Sequence, residues 1–204
     1  MILGFAHLTV STVDPAAFIT GLGRKIHRQH LAIPSHAAKH PLLSRPAAKH
    51  DLILLDGTPV IEVIRHDTGV VSATPTLDFD MDRGEILMQA SDMASEQSFL
   101  TAGLAAAERG DSLVIRGIFP TWGATIRLRR AEKPGAPPPL DVDGYSCIAF
   151  YSSDPAQDRD RLLALGGYNA TETFGITLDG QRLEVLMLRS PNGTIVELVK
   201  VIRR

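Results

Sequence analysis

The clearest regularity in the chain is a strand and helix pattern that occurs near both ends. Residues 3–10 alternate in polarity, which predicts a β-strand with Phe5 and His7 on the same face. Asp14-Pro15 then favours the start of a helix, because aspartate accepts hydrogen bonds from free N–H groups and proline fits the first turn. Residues 144–155 repeat this order through a second Asp-Pro pair. The chain therefore contains an internal repeat.

Each copy of the repeat ends on an apolar strand that contains one acidic residue. Glu62 lies within Val-Ile-Glu-Val-Ile, and Glu197 lies within Ile-Val-Glu-Leu-Val. His7 precedes Glu62 by 55 positions, and Cys147 precedes Glu197 by 50. An unpaired carboxylate is costly to bury, so these two must face water, a cation or a metal ion. A purely structural role for His7 is the alternative.

The pattern divides the chain into three segments. The first βαβββ-type module spans 1–66, a degenerate central module with flanking linkers spans 67–140, and a C-terminal βαβββ module spans 141–204. The central segment has Leu87 and Arg127 where the first has its histidine and acid, so we expect it to be structural or to shape the substrate site. Its predicted elements are a strand at 85–90, a helix from Asp92 to Gly110, and strands at 112–119 and 124–129.

Residues 15–50 have an unusual charge pattern. They contain six lysines and arginines and five of the seven histidines, but no aspartate or glutamate. Three prolines interrupt any long helix, so residues 24–50 are predicted to form a long surface loop with at most one short strand. A hairpin with strands at 51–55 and 58–65 follows, turning at Asp56-Gly57. The basic stretch is either a solvated surface or a clamp for an anionic group.

Composition narrows the class of protein. The 204 residues are 44% hydrophobic and 22% charged, as in an ordinary globular protein, and a net charge of −2 gives no reason to expect a nucleic-acid partner. One cysteine excludes an intrachain disulfide and fits a reducing compartment. No apolar run reaches the roughly 18 residues of a membrane span. We expect no membrane partner and, since residues 1–7 resemble no leader peptide, a cytoplasmic location.

The order and spacing of these motifs resemble the vicinal oxygen chelate superfamily, which includes glyoxalase I, bleomycin-resistance proteins and extradiol dioxygenases. The resemblance rests on the tandem βαβββ pattern, the strand histidine, and the closing Pro191-Asn192-Gly193-Thr194-Ile195-Val196-Glu197-Leu198. An extra central half-module and His40-Pro41 before His50 are similar to a glyoxalase-like branch. The resemblance implies an α+β fold in which tandem βαβββ modules form a cup-shaped mixed sheet.

The resemblance also implies a metal site inside the cup. Its ligand positions correspond to His7, Glu62, Cys147 and Glu197. Imidazole and carboxylate groups bind Zn²⁺, Ni²⁺, Mn²⁺ or Fe²⁺. Cys147 departs from the family pattern: a thiolate would favour zinc, a neutral thiol would leave three ligands, and loss of the metal is the third alternative.

The implied function is that of a glyoxalase-like lyase or isomerase, which uses a divalent metal and acts next to the carbonyl of a small substrate. If the basic stretch at 15–50 is a clamp, that substrate is anionic. Glu62 or Glu197 would carry the proton as the catalytic residue. Ring-cleaving dioxygenation is disfavoured, because those family members use two histidines and one carboxylate. The alternative is a metal-free protein of the bleomycin-resistance type that sequesters a small molecule.

The expected partner is therefore a small-molecule substrate, and both a homodimer and a monomer remain open. The candidate substrate contacts are Phe5, His40, His50, Trp122 and Tyr145.

Overall fold

The computed structural model describes residues 1–118, 123–131 and 135–202, and it contains three successive β-α-β-β-β units. The strands are β1 (Ile2–Ser11), β2 (Ile26–Pro34), β3 (Lys49–Leu55), β4 (Ile61–His66), β5 (Leu77–Asp80), β6 (Glu85–Ala90), β7 (Ala107–Arg109), β8 (Ser112–Ile115), β9 (Ala124–Arg130), β10 (Gly144–Ser152), β11 (Phe174–Leu178), β12 (Gln181–Arg189) and β13 (Ile195–Ile202). The helices are α1 (Pro15–Leu22), α2 (Met93–Ser98, continued by a π-helical turn at Phe99–Gly103) and α3 (Pro155–Ala164). A short 3₁₀ segment, Ala37–Leu42, is called the plug below.

The first and last units join in one eight-stranded mixed sheet with the order β11-β12-β13-β10-β1-β4-β3-β2. At its centre β1 and β10 are antiparallel, with Leu8 opposite Ile148, while β4 and β13 run parallel to β1 and β10. His30 Nδ1 on β2 lies 3.5 Å from Asp179 Oδ1, which follows β11. The two edges of the sheet therefore approach each other. The expected cup-shaped α+β fold is confirmed by this topology.

Local sequence signals explain where the helices begin. The Asp14 side chain accepts a hydrogen bond from the backbone N–H of Ala17, and Asp154 accepts one from that of Gln157. Each of these aspartates therefore satisfies a donor that the first helical turn leaves free. Gly23 ends α1 with a positive φ of 64°, a conformation that favours glycine.

The central unit packs against the outer face of the large sheet. Its strands have the order β5-β6-β9-β8-β7, which repeats the strand order of the first unit with β5 added at the edge. Phe99 and Leu100 from its π-helical turn are fully buried in a core that includes Phe150 and Leu198 of the large sheet. Because the outer face is used for packing, the inner face is left to form the site. Within the described residues, no helix combines the length and apolarity that a membrane crossing requires.

The prediction of a long loop over 24–50 was wrong. Residues Ile26–Pro34 form β2, which pairs with β3 at the edge of the sheet, and the plug follows. Most side chains of β2 are exposed, so the strand lacks the apolar alternation by which sequence analysis recognises a strand. The pairing is also irregular between His30 and Ile33, where Ala32 has a φ of 53°.

The face predicted for Phe5 was also wrong. The pairing of β1 with β10 is irregular between Phe5 and His7, so strict alternation does not hold there. Phe5 consequently lies with Leu8 in the outer core, 5.9 Å from the Phe150 ring in an edge-to-face contact. It does not face the interior of the cup with His7.

The predicted central helix is shorter than expected. Its regular and π-helical turns end at Gly103, and β7 pairs with β8 around Gly110, which has a φ of 62°. The predicted strand at 112–119 ends at Ile115 within the described residues, and Phe119 lies outside them.

Candidate metal centre

Three neighbouring parts of the large sheet bring His7, Glu62 and Glu197 together. His7 pairs with Ala149 on β10, and Ala149 pairs in turn with Glu197 on β13. Glu62 enters from β4, on the other side of β1. Because Ala149 has only a methyl group, it leaves space for the longer side chains on either side of it. Residues from the two copies of the sequence repeat therefore meet in a single cluster where β1 and β10 pair.

The cluster is tight and largely buried. His7 Nε2 lies 3.3 Å from Glu62 Oε2 and 3.8 Å from Glu197 Oε2, and one ligand atom from each residue lies within 4.8 Å of the others. Burial disfavours the charged form of His7, but the two carboxylates outweigh it and raise the pKa of His7 to about 10. Burial likewise opposes ionisation of Glu62, but His7 and other nearby groups lower the pKa of Glu62 to about 2.

The cluster has the properties of a metal site. The Nε2 atom of His7 is buried and, within the described residues, makes no correctly oriented hydrogen bond, although two carboxylates are close to it. The Thr9 hydroxyl donates to Glu62 Oε2 at 3.2 Å and so helps to fix that carboxylate. One imidazole and two carboxylates are suitable ligands for Zn²⁺, Fe²⁺, Mn²⁺ or Ni²⁺. The residues present therefore fit the divalent ion that the resemblance implies.

The metal cluster faces a cavity of about 210 Å³ inside the cup. Most of its wall is aliphatic, while Arg28, His30, Tyr151 and Gln181 contribute polar groups. Apart from Ala6, the aliphatic lining residues are Leu52, Leu54, Ile176, Leu178, Leu183, Val199 and Val201. Such a cavity suits a small molecule with an apolar body and oxygen atoms at one end.

Cys147 is the topological counterpart of His7, but it does not join the cluster. Its side chain is fully buried, and its thiol donates weakly to the backbone oxygen of Ile148 at 3.6 Å. Burial, with Glu197 and Glu62 nearby, raises the pKa of Cys147 well above its ordinary value. The thiol therefore stays neutral, and of the converging ligand atoms none belongs to Cys147.

Tyr145, His40 and His50 are not among the residues that line the 210 Å³ cavity. Tyr145 packs edge-to-face against Phe18, with ring centroids 6.2 Å apart. His40 belongs to the plug, and His50 lies on β3 opposite His66. Trp122 lies outside the described residues.

Sequence analysis missed Tyr151 and the aliphatic wall of the cavity. Tyr151 follows Cys147 and Ala149 in the two-residue alternation of β10, so the strand periodicity could have indicated it. The wall residues on β11 and β12 look like ordinary core positions in the sequence, and only the curvature of the sheet places them around a cavity.

Comparison with known proteins gives a distant structural similarity. No protein-family model and no curated protein matches the sequence. Glyoxalase I from Zea mays is 16% identical over 97% of this chain and 67% of its own, with a TM-score of 0.40. Methylmalonyl-CoA epimerase from Mycobacterium tuberculosis is 12% identical over 100% of this chain and 91% of its own, with a TM-score of 0.44.

A virulence protein from Salmonella typhimurium is 20% identical over 57% of this chain and 93% of its own, with a TM-score of 0.39. The chain spans about two thirds of the length of the maize protein. Because these similarities are distant, the fold is assigned from the strand order of this chain. A proposed function has to be argued from the residues of its site.

Proposed function

We propose that the chain binds one divalent metal ion through His7, Glu62 and Glu197 and acts as a lyase or isomerase at a carbon next to a carbonyl group. The observation that carries this proposal is the convergence of three ligand atoms within 4.8 Å at a small, largely apolar cavity. Both reaction types need a group that carries a proton, and a Lewis acid assists them by stabilising negative charge on the carbonyl oxygen. The cluster contains carboxylates for the former and ligands for the latter.

The three residues would have different roles. A divalent ion, when bound here, polarises the substrate carbonyl as a Lewis acid. Glu62 is held by the Thr9 hydroxyl and lies 3.3 Å from His7, so it suits a fixed ligand. Glu197 has the longer contact with His7, 3.8 Å, and we assign it to carry the proton on a carboxylate oxygen. The aliphatic wall keeps water away from the reacting carbon.

The donor set favours this chemistry over ring-cleaving dioxygenation. The resemblance associates ring cleavage with two histidines and one carboxylate, whereas this cluster has one histidine and two carboxylates. Two carboxylates offset the charge of a divalent ion. A carboxylate that binds the ion through one oxygen can still accept a proton on its other oxygen.

Proton exchange in D₂O tests the proposed function. Protein prepared without chelator and loaded with Zn²⁺, Ni²⁺ or Mn²⁺ would be incubated with a panel of 2-oxo acids, 2-hydroxy acids and acyl thioesters. We expect deuterium to enter next to the carbonyl of at least one compound, and we expect His7→Ala and Glu197→Gln to abolish this. Cys147→Ser is the matched control and should retain the exchange. Exchange that survives in His7→Ala would contradict the proposal.

Sequestration of a small apolar molecule is the second candidate function, because seven leucine, isoleucine and valine side chains line the cavity. Neutral aromatic compounds would then raise the melting temperature of metal-free protein, and His7→Ala would not change this effect.

A cytoplasmic location and a homodimer remain predictions from the sequence, and light scattering at two protein concentrations tests the homodimer.

A further inference from the structure

A second polar cluster, separate from the metal triad, is formed by Lys39, His50 and His66. His50 and His66 pair across β3 and β4, with ring centroids 6.0 Å apart. Strand alternation puts both on the face that carries Glu62. Lys39 comes from the plug, with Nζ 5.6 Å from the centroid of the Phe174 ring. The exposed fractions of Lys39, His50 and His66 are only 7%, 5% and 5%.

Three ring nitrogens of this cluster lack hydrogen-bond partners within the described residues. They are both ring nitrogens of His66 and the Nδ1 atom of His50, and all three are buried. Lys39 Nζ makes a cation–π contact with the Phe174 ring, but among the described residues no carboxylate forms an ion pair with it. Buried polar groups are normally satisfied, and a buried ammonium group normally has a counter-ion. The cluster is therefore incomplete without a further group.

The acidic residues nearby are occupied by other donors. Glu62 accepts from Thr9 and lies beside His7. Asp141 accepts from the backbone N–H of Ser44 at 2.7 Å and also from the hydroxyl of that serine. Lys39 is nevertheless close enough for its positive charge to help lower the pKa of both histidines and of Glu62, although burial is the largest influence on each. The charge of Lys39 therefore influences both histidines and Glu62, but no carboxylate is in direct contact with its ammonium group.

We propose that Lys39, His50 and His66 form a binding site for a carboxylate-sized anion close to the metal centre. Ordered water could satisfy the imidazole nitrogens, but it would leave the Lys39 ammonium group without a counter-ion in direct contact. A metal cation is disfavoured by that same charge, and the cluster has too few converging ligand atoms among the described residues. A small oxyanion accepts hydrogen bonds from the ammonium group and from imidazole N–H groups, and it supplies the missing negative charge.

The anion has two sources with the same chemistry: a free carboxylate such as formate, or the carboxylate of a substrate that also reaches the metal centre. The site does not depend on the proposed metal-dependent function, because none of its three residues belongs to the metal triad. It can therefore be tested on metal-free protein, where failure of one proposal leaves the other intact.

Thermal unfolding of metal-free protein in increasing formate, at constant ionic strength maintained with a bulky sulfonate salt, tests the site. Binding to the folded state raises the melting temperature by mass action. We expect a saturable rise in wild type and in the matched control Lys49→Met, which removes an exposed lysine on β3. We expect Lys39→Met to lose the rise and His66→Phe to weaken formate binding at least tenfold.

A rise of equal size in Lys39→Met would overturn the proposal, as would the absence of any rise in wild type. If Lys39→Met fails to fold, formate-dependent shifts of the His50 and His66 ring resonances in wild-type NMR spectra provide the same decision. The source is distinguished by comparing a 2-oxo acid with its methyl ester on Zn²⁺-loaded protein. Weaker binding of the ester, seen in wild type and absent in Lys39→Met, assigns the site to the substrate carboxylate; equal binding assigns it to a free anion.

Discussion

Asn192 donates two hydrogen bonds to the same carboxylate oxygen of Glu96, one from its backbone N–H at 3.0 Å and one from its side-chain amide at 2.8 Å. Glu96 lies on α2 of the central unit, while Asn192 lies in the turn before β13. The Asn192 side-chain oxygen also accepts from Ser91 and Asp92. This polar contact joins the central unit to the strand that carries Glu197.

We predict that Glu96 makes the stability of the wild type depend on pH. Burial raises the pKa of Glu96 above the ordinary 4.5, although bonds from Asn192 and Ser190 oppose the shift. The folded state then binds more protons than the unfolded state, so stability falls as pH rises through the raised pKa. Glu96→Gln keeps an acceptor oxygen but does not titrate. Relative to this variant, the wild type should lose free energy of unfolding from pH 4.5 upward.

Urea unfolding of both proteins between about pH 4 and pH 8 measures this difference, and groups common to both proteins cancel. A difference that is constant or that grows in favour of the wild type with rising pH would contradict the prediction.

Metal stoichiometry should depend on His7 and not on Cys147. We expect wild type and Cys147→Ser to bind one divalent ion per chain, because the neutral, buried thiol lies outside the converging ligand atoms. His7→Ala should lose the bound ion, since two carboxylates alone remain. Elemental analysis after dialysis against Zn²⁺ and then against metal-free buffer measures the content. Loss of metal in Cys147→Ser would show that the sulfur is a ligand.

Thr9→Val should weaken metal binding without removing it. Thr9 donates to Glu62 Oε2 at 3.2 Å, and hydrogen bonds to ligating groups typically contribute about 10–100-fold to metal affinity. Valine has nearly the same shape, so the packing around the buried Thr9 position should be kept. Competition with a zinc-binding dye gives the affinity, and Ser11→Ala on the same strand is the control. An unchanged affinity in Thr9→Val would mean that this hydrogen bond does not orient Glu62.

Phe5→Ala should destabilise the protein and leave the metal centre intact. Phe5 is fully buried in the outer core, where a phenylalanine-to-alanine change costs about 3–5 kcal/mol. Its ring lies on the opposite side of the sheet from His7, so the bound metal should be retained in the folded fraction. Chemical denaturation and metal analysis of the same preparation test both parts. A stable variant with altered substrate binding would instead place Phe5 in the site.

Periodicity and repetition in the sequence predicted the tandem units, and the family resemblance added the cup and the four ligand positions, three of which converge. His7, Glu62 and Glu197 could be identified because equivalent strand positions in a repeat become neighbours when the two copies pair. The position of Cys147 follows from the same symmetry, but whether its short side chain reaches the cluster depends on three-dimensional distances. The face of Phe5 depends on a register irregularity that leaves no mark in the local pattern.

Of the second cluster, only His50 was named from the sequence, as a candidate substrate contact. Lys39 and His66 could not be predicted, because one lies in the plug and the other at the end of a strand. His66 is the last residue of β4, and the apolar residues before it indicate an ordinary core strand. Lys39 lies in the plug, and its burial depends on how that segment packs against the rest of the chain. The burial of Leu42, which packs in a core with Cys147 and Phe174, holds the plug in place. Such long-range packing is not encoded in any short periodic segment.

The space above Ala149 should be essential to the metal centre. Ala149 lies between His7 and Glu197 in the pairing of β1, β10 and β13, and it is fully buried. Leucine at this position would extend into the gap through which the His7 ring and the Glu197 carboxylate approach each other. We therefore expect Ala149→Leu to reduce metal affinity at least a hundredfold and to cost about 1–3 kcal/mol of stability through overpacking.

Ala149→Gly, which opens the gap, should keep a bound ion. Isothermal titration with Zn²⁺ on both folded variants measures the affinities. Tight binding by Ala149→Leu would show that the ligands do not meet across this residue.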